Sequence, residues 1–248
     1  MTVLKPNEVL NDLLGYEGLK IIQRPDMFNF SLDSTLLADF VKPTKKVKKI
    51  MDFGTGLAPV PLFLSLKTDA KIIGIEIQKE VFDIAVRNIE INSLTDQITI
   101  LNEDIKRLHN IYNHSSIDLI TCNPPFFKFH ENANINNSDY KTIARHEKSI
   151  DLESIITTAK YLLNNKAHLY MVHRPERLSE ILELLKKHRF SVKRLRFIHP
   201  KEHQNANMVL IDASKQGLDG MLILPPLYVH NEHGYTEEIK RIFNYGRK

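Results

Sequence analysis

The pattern that most narrows the fold lies between Lys48 and Ile77. An apolar strand from Lys48 ends in Asp52-Phe53-Gly54-Thr55-Gly56-Leu57-Ala58-Pro59 and gives way to the apolar stretch Val60-Pro-Leu-Phe-Leu-Ser-Leu66. The two glycines permit a tight turn and a close approach of backbone to ligand where a strand hands over to a helix. The next strand, Ile72-Ile-Gly-Ile-Glu76-Ile77, ends in an acid. That acid follows the turn by about 20 residues, the spacing at which a carboxylate reaches ribose hydroxyls from the end of a neighbouring strand. From Glu80 to Asn92, the side chains of Val81, Ile84, Ala85, Asn88, Ile89 and Asn92 share one side of an amphipathic helix. A strand, a crossover helix and a second strand specify a parallel α/β sheet. Pro59 replaces the third glycine of a dinucleotide fingerprint, which argues against a pyrophosphate packed on the helix start.

The pattern continues. A third strand, Gln97 to Leu101, leads into Asn102-Glu103-Asp104-Ile105. There Asp104 can accept from an exocyclic amine while Ile105 covers the ring, although a turn carboxylate is also well served by water alone. A fourth strand, Ile117 to Cys122, runs straight into Asn123-Pro124-Pro125-Phe126-Phe127. Two prolines fix φ and supply no N–H, so the chain leaves the strand stiffly. The Asn123 amide oxygen and the Pro124 carbonyl, held side by side, can accept both hydrogens of one planar amine, while Phe126 offers a flat face to its ring. A nucleobase amine fits that description. Asn-Pro also opens ordinary turns, and Phe126 and Phe127 could simply return to the core. In open α/β sheets, however, ligands sit beyond the carboxyl ends of strands, which is where this segment falls.

Residues 128–149 form a polar connection rich in asparagine, including Asn132, Asn134, Asn136 and Asn137. Long connections in compact domains are usually functional or disordered. Its far end, Ala144-Arg145-His146-Glu147, suits closure over a substrate, phosphate binding or an ion-rich linker equally well. Helices are expected from Asp151, as cap, to Asn164 and from Arg177 to His188; strands are expected over 167–172, 192–198 and 208–213. Leu222 to Val229 reads as an edge strand, since Pro225 and Pro226 forbid a central place. Before the first glycine turn, the chain opens on a polar, weakly ordered start and a strand at 18–23. A short helix capped by Asp33 or Ser34 then turns Leu36, Leu37 and Phe40 to the core. That helix either packs or walls a cofactor pocket. The division implied is an N-terminal extension over 1–45 and a main domain over 46–248.

The lone cysteine, Cys122, excludes an internal disulfide and fits a reducing compartment; at the end of a central strand it reads as core. No apolar run approaches a membrane span, and a cytoplasmic protein is expected. Pro200 between His199 and His203 breaks any regular helix through both, so no metal site is expected. The net charge is +4, and the cations cluster: Lys42, Lys45, Lys46, Lys48 and Lys49, then Lys186 through Lys193, Arg194 and Arg196 to Lys201. Such clusters suit a phosphate backbone or a solvated face.

Asp52-x-Gly54-x-Gly56, Glu76, Asp104-Ile105 and Asn123-Pro-Pro-Phe126, in that order, resemble the motif set of class I S-adenosylmethionine-dependent methyltransferases. The resemblance implies a Rossmann-like sheet, mostly parallel and seven-stranded, with an antiparallel C-terminal strand. Over nearly the whole chain the sequence is similar to bacterial tRNA (adenine-N6) methyltransferases acting beside the anticodon of valine tRNA. That likeness rests on Phe28-x-Phe-Ser-Leu-Asp33-Ser-x-Leu-Leu-Ala38, Asn123-Pro-Pro-Phe-Phe127, Ala144-Arg-His-Glu147 and Tyr228-Val-His-x-x-x-Gly-Tyr235. Phe126 stands where many relatives carry Tyr, and Ala58 where many carry Gly. What the resemblance implies is S-adenosylmethionine as cofactor, tRNA as partner and N6-methylation of an adenine. Asp33, Ser34, Asp52, Gly54, Gly56, Glu76, Asp104, Ile105 and Asn123 would line the cofactor site. Asn123, Pro124 and Phe126 would act at the target base, and Phe127, Arg145, Lys193, Arg194 and Arg196 would hold substrate. Guanine-N2 rRNA and protein-glutamine methyltransferases share Asn-Pro-Pro-aromatic. A nicotinamide dehydrogenase would use Glu76 and the glycine turn as well, but no catalytic dyad is evident, and intact Asn123 speaks against a non-catalytic RNA-binding module.

Overall fold

The computed structural model describes residues 4–13, 16–26, 32–124 and 151–244. The chain opens on a hairpin in which β1 (Val9–Leu13) pairs antiparallel with β2 (Tyr16–Gln23). The polar start thus forms a strand rather than a weakly ordered lead. Only Leu13 of β1 is buried, so no apolar alternation marks it in the sequence. α1 (Leu32–Phe40) follows, with Leu36, Leu37 and Phe40 buried as expected. Asp33 and Ser34 lie inside its first turn rather than at its cap, because the helix already begins at Leu32.

The α/β core then unfolds in order: β3 (Lys49–Phe53), α2 (Pro59–Ser65), β4 (Lys71–Glu76), α3 (Lys79–Ile91), β5 (Ile98–Asn102), a 3-10 helix over Ile105–Asn110, and β6 (Ile117–Cys122). After the next described stretch begins come α4 (Leu152–Leu162), β7 (Leu163–His173), α5 (Leu178–Lys187), β8 (Phe190–Lys201) and β9 (Met208–Lys215). The expected Asp151 cap is present, accepting from the Ser154 N–H at 2.7 Å. β10 (Leu222–Ile223), β11 (Leu227–Asn231), β12 (Gly234–Tyr235) and α6 (Glu237–Phe243) close the described chain. Thr236 caps α6, which the sequence reading did not anticipate; a helix this short carries too little periodicity to announce itself.

The strands run β12-β11-β8-β9-β7-β6-β3-β4-β5, with β10 also paired to β8. From β5 to β7 every pair is parallel, and β9 inserts antiparallel between β7 and β8. The sheet is mostly parallel as expected but has ten strands rather than seven: the seven from β5 to β8 hold the antiparallel β9, and β10, β11 and β12 lie beyond β8. β10 and β11 extend it as two pieces of one parallel edge, split at Pro225-Pro226, where no N–H is available to continue the ladder.

Each face of the sheet buries its own apolar layer. Leu36, Leu62, Ile84 and Ile239, from α1, α2, α3 and α6, belong to one, together with the hairpin residues Ile21 and Ile22. Leu108, Ile155 and Ile181, from the 3-10 helix, α4 and α5, belong to the other. The hairpin is tied on by α3: Asn92 exchanges two hydrogen bonds with the Lys20 backbone at 2.8 Å, and Asn88 does so with Ile22 at 2.6 and 3.3 Å. Side-chain amides here stand in for a neighbouring strand, covering the open edge of β2. Among the described residues, no helix is long and apolar enough to cross a membrane.

Candidate active site

The parallel register sets Phe53 level with Cys122 and Glu76 level with Asn102. The loops leaving β3, β4, β5 and β6 therefore emerge together at one end of the sheet. At the end of β3, Gly54 and Gly56 adopt φ of +64° and +56°, a left-handed conformation that other residues reach only with strain. A Cβ on either would meet nothing within 4 Å, so it is the backbone turn that demands glycine, and the space over the turn is open. Ala58 takes φ +67° immediately before α2, which explains why glycine suits that position. Pro59 and Pro61 occupy the first turn of α2. They remove N–H donors that a pyrophosphate would need, in agreement with the sequence argument against a dinucleotide.

Glu76 binds this loop together. Its carboxylate is 5 % exposed and accepts from the Gly56 N–H at 3.0 Å through Oε2 and from the Gln78 N–H at 2.8 Å through Oε1. Each carboxylate oxygen carries two lone pairs, so a ribose diol can share the same group. The Thr55 N–H donates to the Ile75 carbonyl at 2.9 Å, and Asn102 Nδ2 donates to the Glu76 and Ile77 carbonyls at 2.8 and 3.1 Å. Gly74 is required for packing: a Cβ there would lie 2.9 Å from the Thr55 side chain.

Asp52 lies beneath the loop, 2 % exposed, and Thr121 Oγ1 donates to its Oδ1 at 2.6 Å. Burial pushes its carboxyl up to about 7; the Thr121 hydroxyl pulls the other way, and the nearby Glu76 charge adds to the rise. Thr121 had escaped the sequence reading because it sits in an apolar run, yet the register pairs it directly with Asp52. Cys122 is buried, and burial raises its thiol well above the usual range, which fits the core role expected of it.

Asn123 follows β6 and donates from Nδ2 to Ser34 Oγ at 3.1 Å. Two expected site residues far apart in sequence are thereby brought together, with α1 delivering one and β6 the other. This bond occupies the amino end of the Asn123 amide and leaves the carbonyl end to accept. Pro124 is buried beside it. Asp33 is half-buried in the first turn of α1. Asp104 caps the 3-10 helix through the Lys106 N–H at 2.9 Å, and its own N–H is held by Glu103 Oε1 at 2.8 Å. The Ile105 side chain is 3 % exposed and packs in the layer below. Phe126, Phe127, Arg145 and the 128–149 connection lie outside the described residues, as does Phe28.

Among the described residues, the expected substrate cations Lys193, Arg194 and Arg196 all bond groups of their own chain. Arg194 donates from Nε to Asp212 Oδ2 at 2.8 Å and from Nη2 to the Phe40 carbonyl at 3.2 Å. Arg196 donates to the Pro225 carbonyl at 3.0 Å and to Glu238 at 2.8 Å, and the Lys193 ammonium bonds the Leu218 carbonyl. Lys45, Lys46 and Lys48 precede β3, and Lys186, Lys187 and Arg189 precede or begin β8. By register both clusters lie at the amino ends of the parallel strands, away from the glycine turn and Asn123. Among the described residues, no group of three or more side chains is placed to hold a metal.

A family model described as the methyltransferase small domain matches residues 18–198. The chain is 28 % identical over 233 residues to a Porphyromonas gingivalis protein named tRNA1(Val) (adenine(37)-N6)-methyltransferase, covering 90 % of each. An Aliivibrio salmonicida protein of the same name is 23 % identical over 84 % of this chain and 86 % of its own length. Among solved structures, a predicted O-methyltransferase from Agrobacterium tumefaciens superposes with a TM-score of 0.68 at 21 % identity, covering 87 % of this chain and 97 % of that one. A geranyl diphosphate methyltransferase solved with sinefungin reaches 0.57 at 10 % identity, covering 73 % and 77 %. These likenesses support the fold.

Proposed function

The chain belongs to the methyltransferase small domain family, and from that premise we propose that it transfers a methyl group from S-adenosylmethionine to N6 of an adenine in tRNA. The target we favour is the adenine at position 37 of valine tRNA, the activity named in relatives that match 84 to 90 % of this chain. The observation that carries the reading is Asn123, set at the carboxyl end of β6 beside the glycine turn and oriented by Ser34. When bound, S-adenosylmethionine supplies an electrophilic methyl group on a positive sulfur. Glu76 fits its ribose, and the turn at Gly54 and Gly56 lets the backbone approach its methionine part.

Asn123 Oδ1 and the Pro124 carbonyl accept the two N–H bonds of the adenine amine. Both acceptors would draw the nitrogen lone pair out of conjugation and towards the methyl carbon; as the N–C bond forms the C–S bond breaks, S-adenosylhomocysteine leaves, and one amine proton is lost to solvent. Positioning of this kind does most of the work, since the methyl carbon is already activated. By the resemblance, Phe126 would offer its flat face to the flipped base.

The test is nucleoside mass spectrometry of unmodified valine tRNA transcript incubated with the protein and S-adenosylmethionine. N6-methyladenosine is the expected product. Asn123→Ala is expected to lower kcat by about a hundredfold or more while cofactor binding survives with at most the roughly threefold loss that goes with its hydrogen bond to Ser34, because the amide oxygen acts on the target. Absence of a methylated nucleoside with the wild-type protein would discard the substrate.

A further inference from the structure

The carboxyl end of α1 is held in an unusual way. A helix leaves its last carbonyls without intrahelical donors, and cations near that end are favoured by the helix dipole. α1 has no basic residue in its own last turn. The Val41 N–H takes the Leu37 carbonyl at 3.1 Å, which leaves Ala38, Asp39 and Phe40, with Val41 just beyond. The single ammonium of Lys67 donates to the carbonyls of Ala38, Asp39 and Val41 at 2.7, 2.8 and 2.7 Å. The Phe40 carbonyl accepts from Arg194 Nη2 at 3.2 Å. Two cations from distant parts of the chain thus satisfy the whole end of the helix.

Both cations are themselves anchored. The Lys67 backbone is fixed to the end of α2 by its N–H bond to the Leu64 carbonyl at 2.9 Å. α2 begins directly after the glycine turn, so Lys67 joins α1 to the helix that carries that turn. Arg194 is fixed by Asp212, itself 2 % exposed and also held by His168 Nδ1 at 2.5 Å; its guanidinium lies 4.5 Å from the centre of the Phe40 ring. At the other end of the same short, rigid helix, Ser34 accepts from Asn123.

We propose that Lys67 and Arg194 are positioning residues: by capping α1 from α2 and β8, they set the helix so that its first turn meets Asn123 and closes the wall of the cofactor site. This assignment rests on the S-adenosylmethionine reading above. Neither residue touches cofactor or base. Their effect passes through the placement of α1, of which the Ser34–Asn123 contact is one part, and this distinguishes them from residues that only stabilise the fold.

A double-mutant cycle between Lys67 and Ser34 tests it, read by S-adenosylmethionine titration of the full chain. Lys67→Met keeps the apolar stem and removes the donors. It is expected to weaken cofactor binding about tenfold, and Ser34→Ala by about threefold; the double variant binds no more weakly than Lys67→Met alone, because coupled groups do not add. In the same set the losses in Tm add, and Lys67→Arg recovers most of the affinity. Without cofactor, hydrogen exchange of the amides of residues 36–41 rises in Lys67→Met. If Lys67→Met does not fold, Lys67→Gln, which retains one donor group, carries the cycle. Additive losses in affinity, or wild-type affinity in folded Lys67→Met, would overturn the proposal. A wild-type protein that binds S-adenosylmethionine but methylates no RNA would discard the substrate reading and leave this result standing.

Discussion

At the scale of single residues, the most informative is Asp52, a carboxyl buried under the glycine turn and pushed up to about 7. Its folded value lies above its ordinary one of 3.8, so folding takes up a proton between the two. The stability it contributes is complete below the ordinary value and is lost as pH rises through about 7. A cofactor with a positive sulfonium and ammonium favours the ionised form, so binding should release this proton at pH 6 and none at pH 9. S-adenosylmethionine affinity is therefore expected to rise from pH 6 through about 7, and Asp52→Asn should flatten that rise. Calorimetry in two buffers of different ionisation enthalpy reads the proton directly; equal heats at pH 6 would exclude the role. Asp52 itself was legible from Asp52-x-Gly54-x-Gly56, as were Glu76 and Asn123. Thr121, which hydrogen-bonds Asp52, was not, because its role appears only when β3 and β6 are set in register.

Elements are legible where their own sequence carries the signal. α3 announces itself by periodicity, and the edge at 222–231 by its prolines. What cannot be read locally is how one element is fastened to another. Asn88 and Asn92 share one side of α3 in the sequence, but their partner is β2, a strand far earlier in the chain. Asn88 is fully buried and bonds Ile22 on one side and the Leu57 carbonyl, at 3.0 Å, on the other, so it links the hairpin to the glycine turn. Asn88→Leu keeps the branched shape in a somewhat larger, apolar side chain and strands a buried N–H and two carbonyls. It is expected to cost about 2–4 kcal/mol in urea unfolding and to weaken S-adenosylmethionine binding as well. Asn92→Leu, whose bonds to Lys20 are exposed to water, is expected to cost less than about 1 kcal/mol. Equal losses from the two would mean that burial at Asn88 does not set the strength of the attachment. The caps of α1 have the same origin: Lys67 and Arg194 are unremarkable cations in sequence, and only the packing of α1 between α2 and β8 gives them partners.

Across the whole molecule, the site and the larger part of the clustered positive charge occupy opposite ends of the sheet. The sequence gathers Lys42 to Lys49 and Lys186 to Lys201 as candidate RNA contacts, because linear clustering is visible and direction along a strand is not. Whereas β8 carries Arg194, Arg196 and Lys201 to the other end, the register separates Lys45 to Lys49 and Lys186 to Arg189 from Asn123 by the length of β6, about 20 Å at 3.3 Å per residue. That is more than two Debye lengths at about 0.15 M salt, where such charges are largely screened. The cations nearer the site end, Arg194 and Arg196, already hold carboxylates and carbonyls of their own chain. Lys201, exposed where β8 ends, lies on the site side; on the tRNA reading the amino-end lysines should serve solubility rather than recognition. The double variant Lys45→Glu, Lys46→Glu is accordingly expected to keep kcat/KM for valine tRNA within about twofold of wild type at 0.15 M salt, while wild-type binding itself still weakens as salt rises. A tenfold loss in the variant, with S-adenosylmethionine affinity intact, would show instead that the tRNA wraps from the carboxyl ends of the strands down to their amino ends, and that the basic clusters belong to one continuous RNA surface.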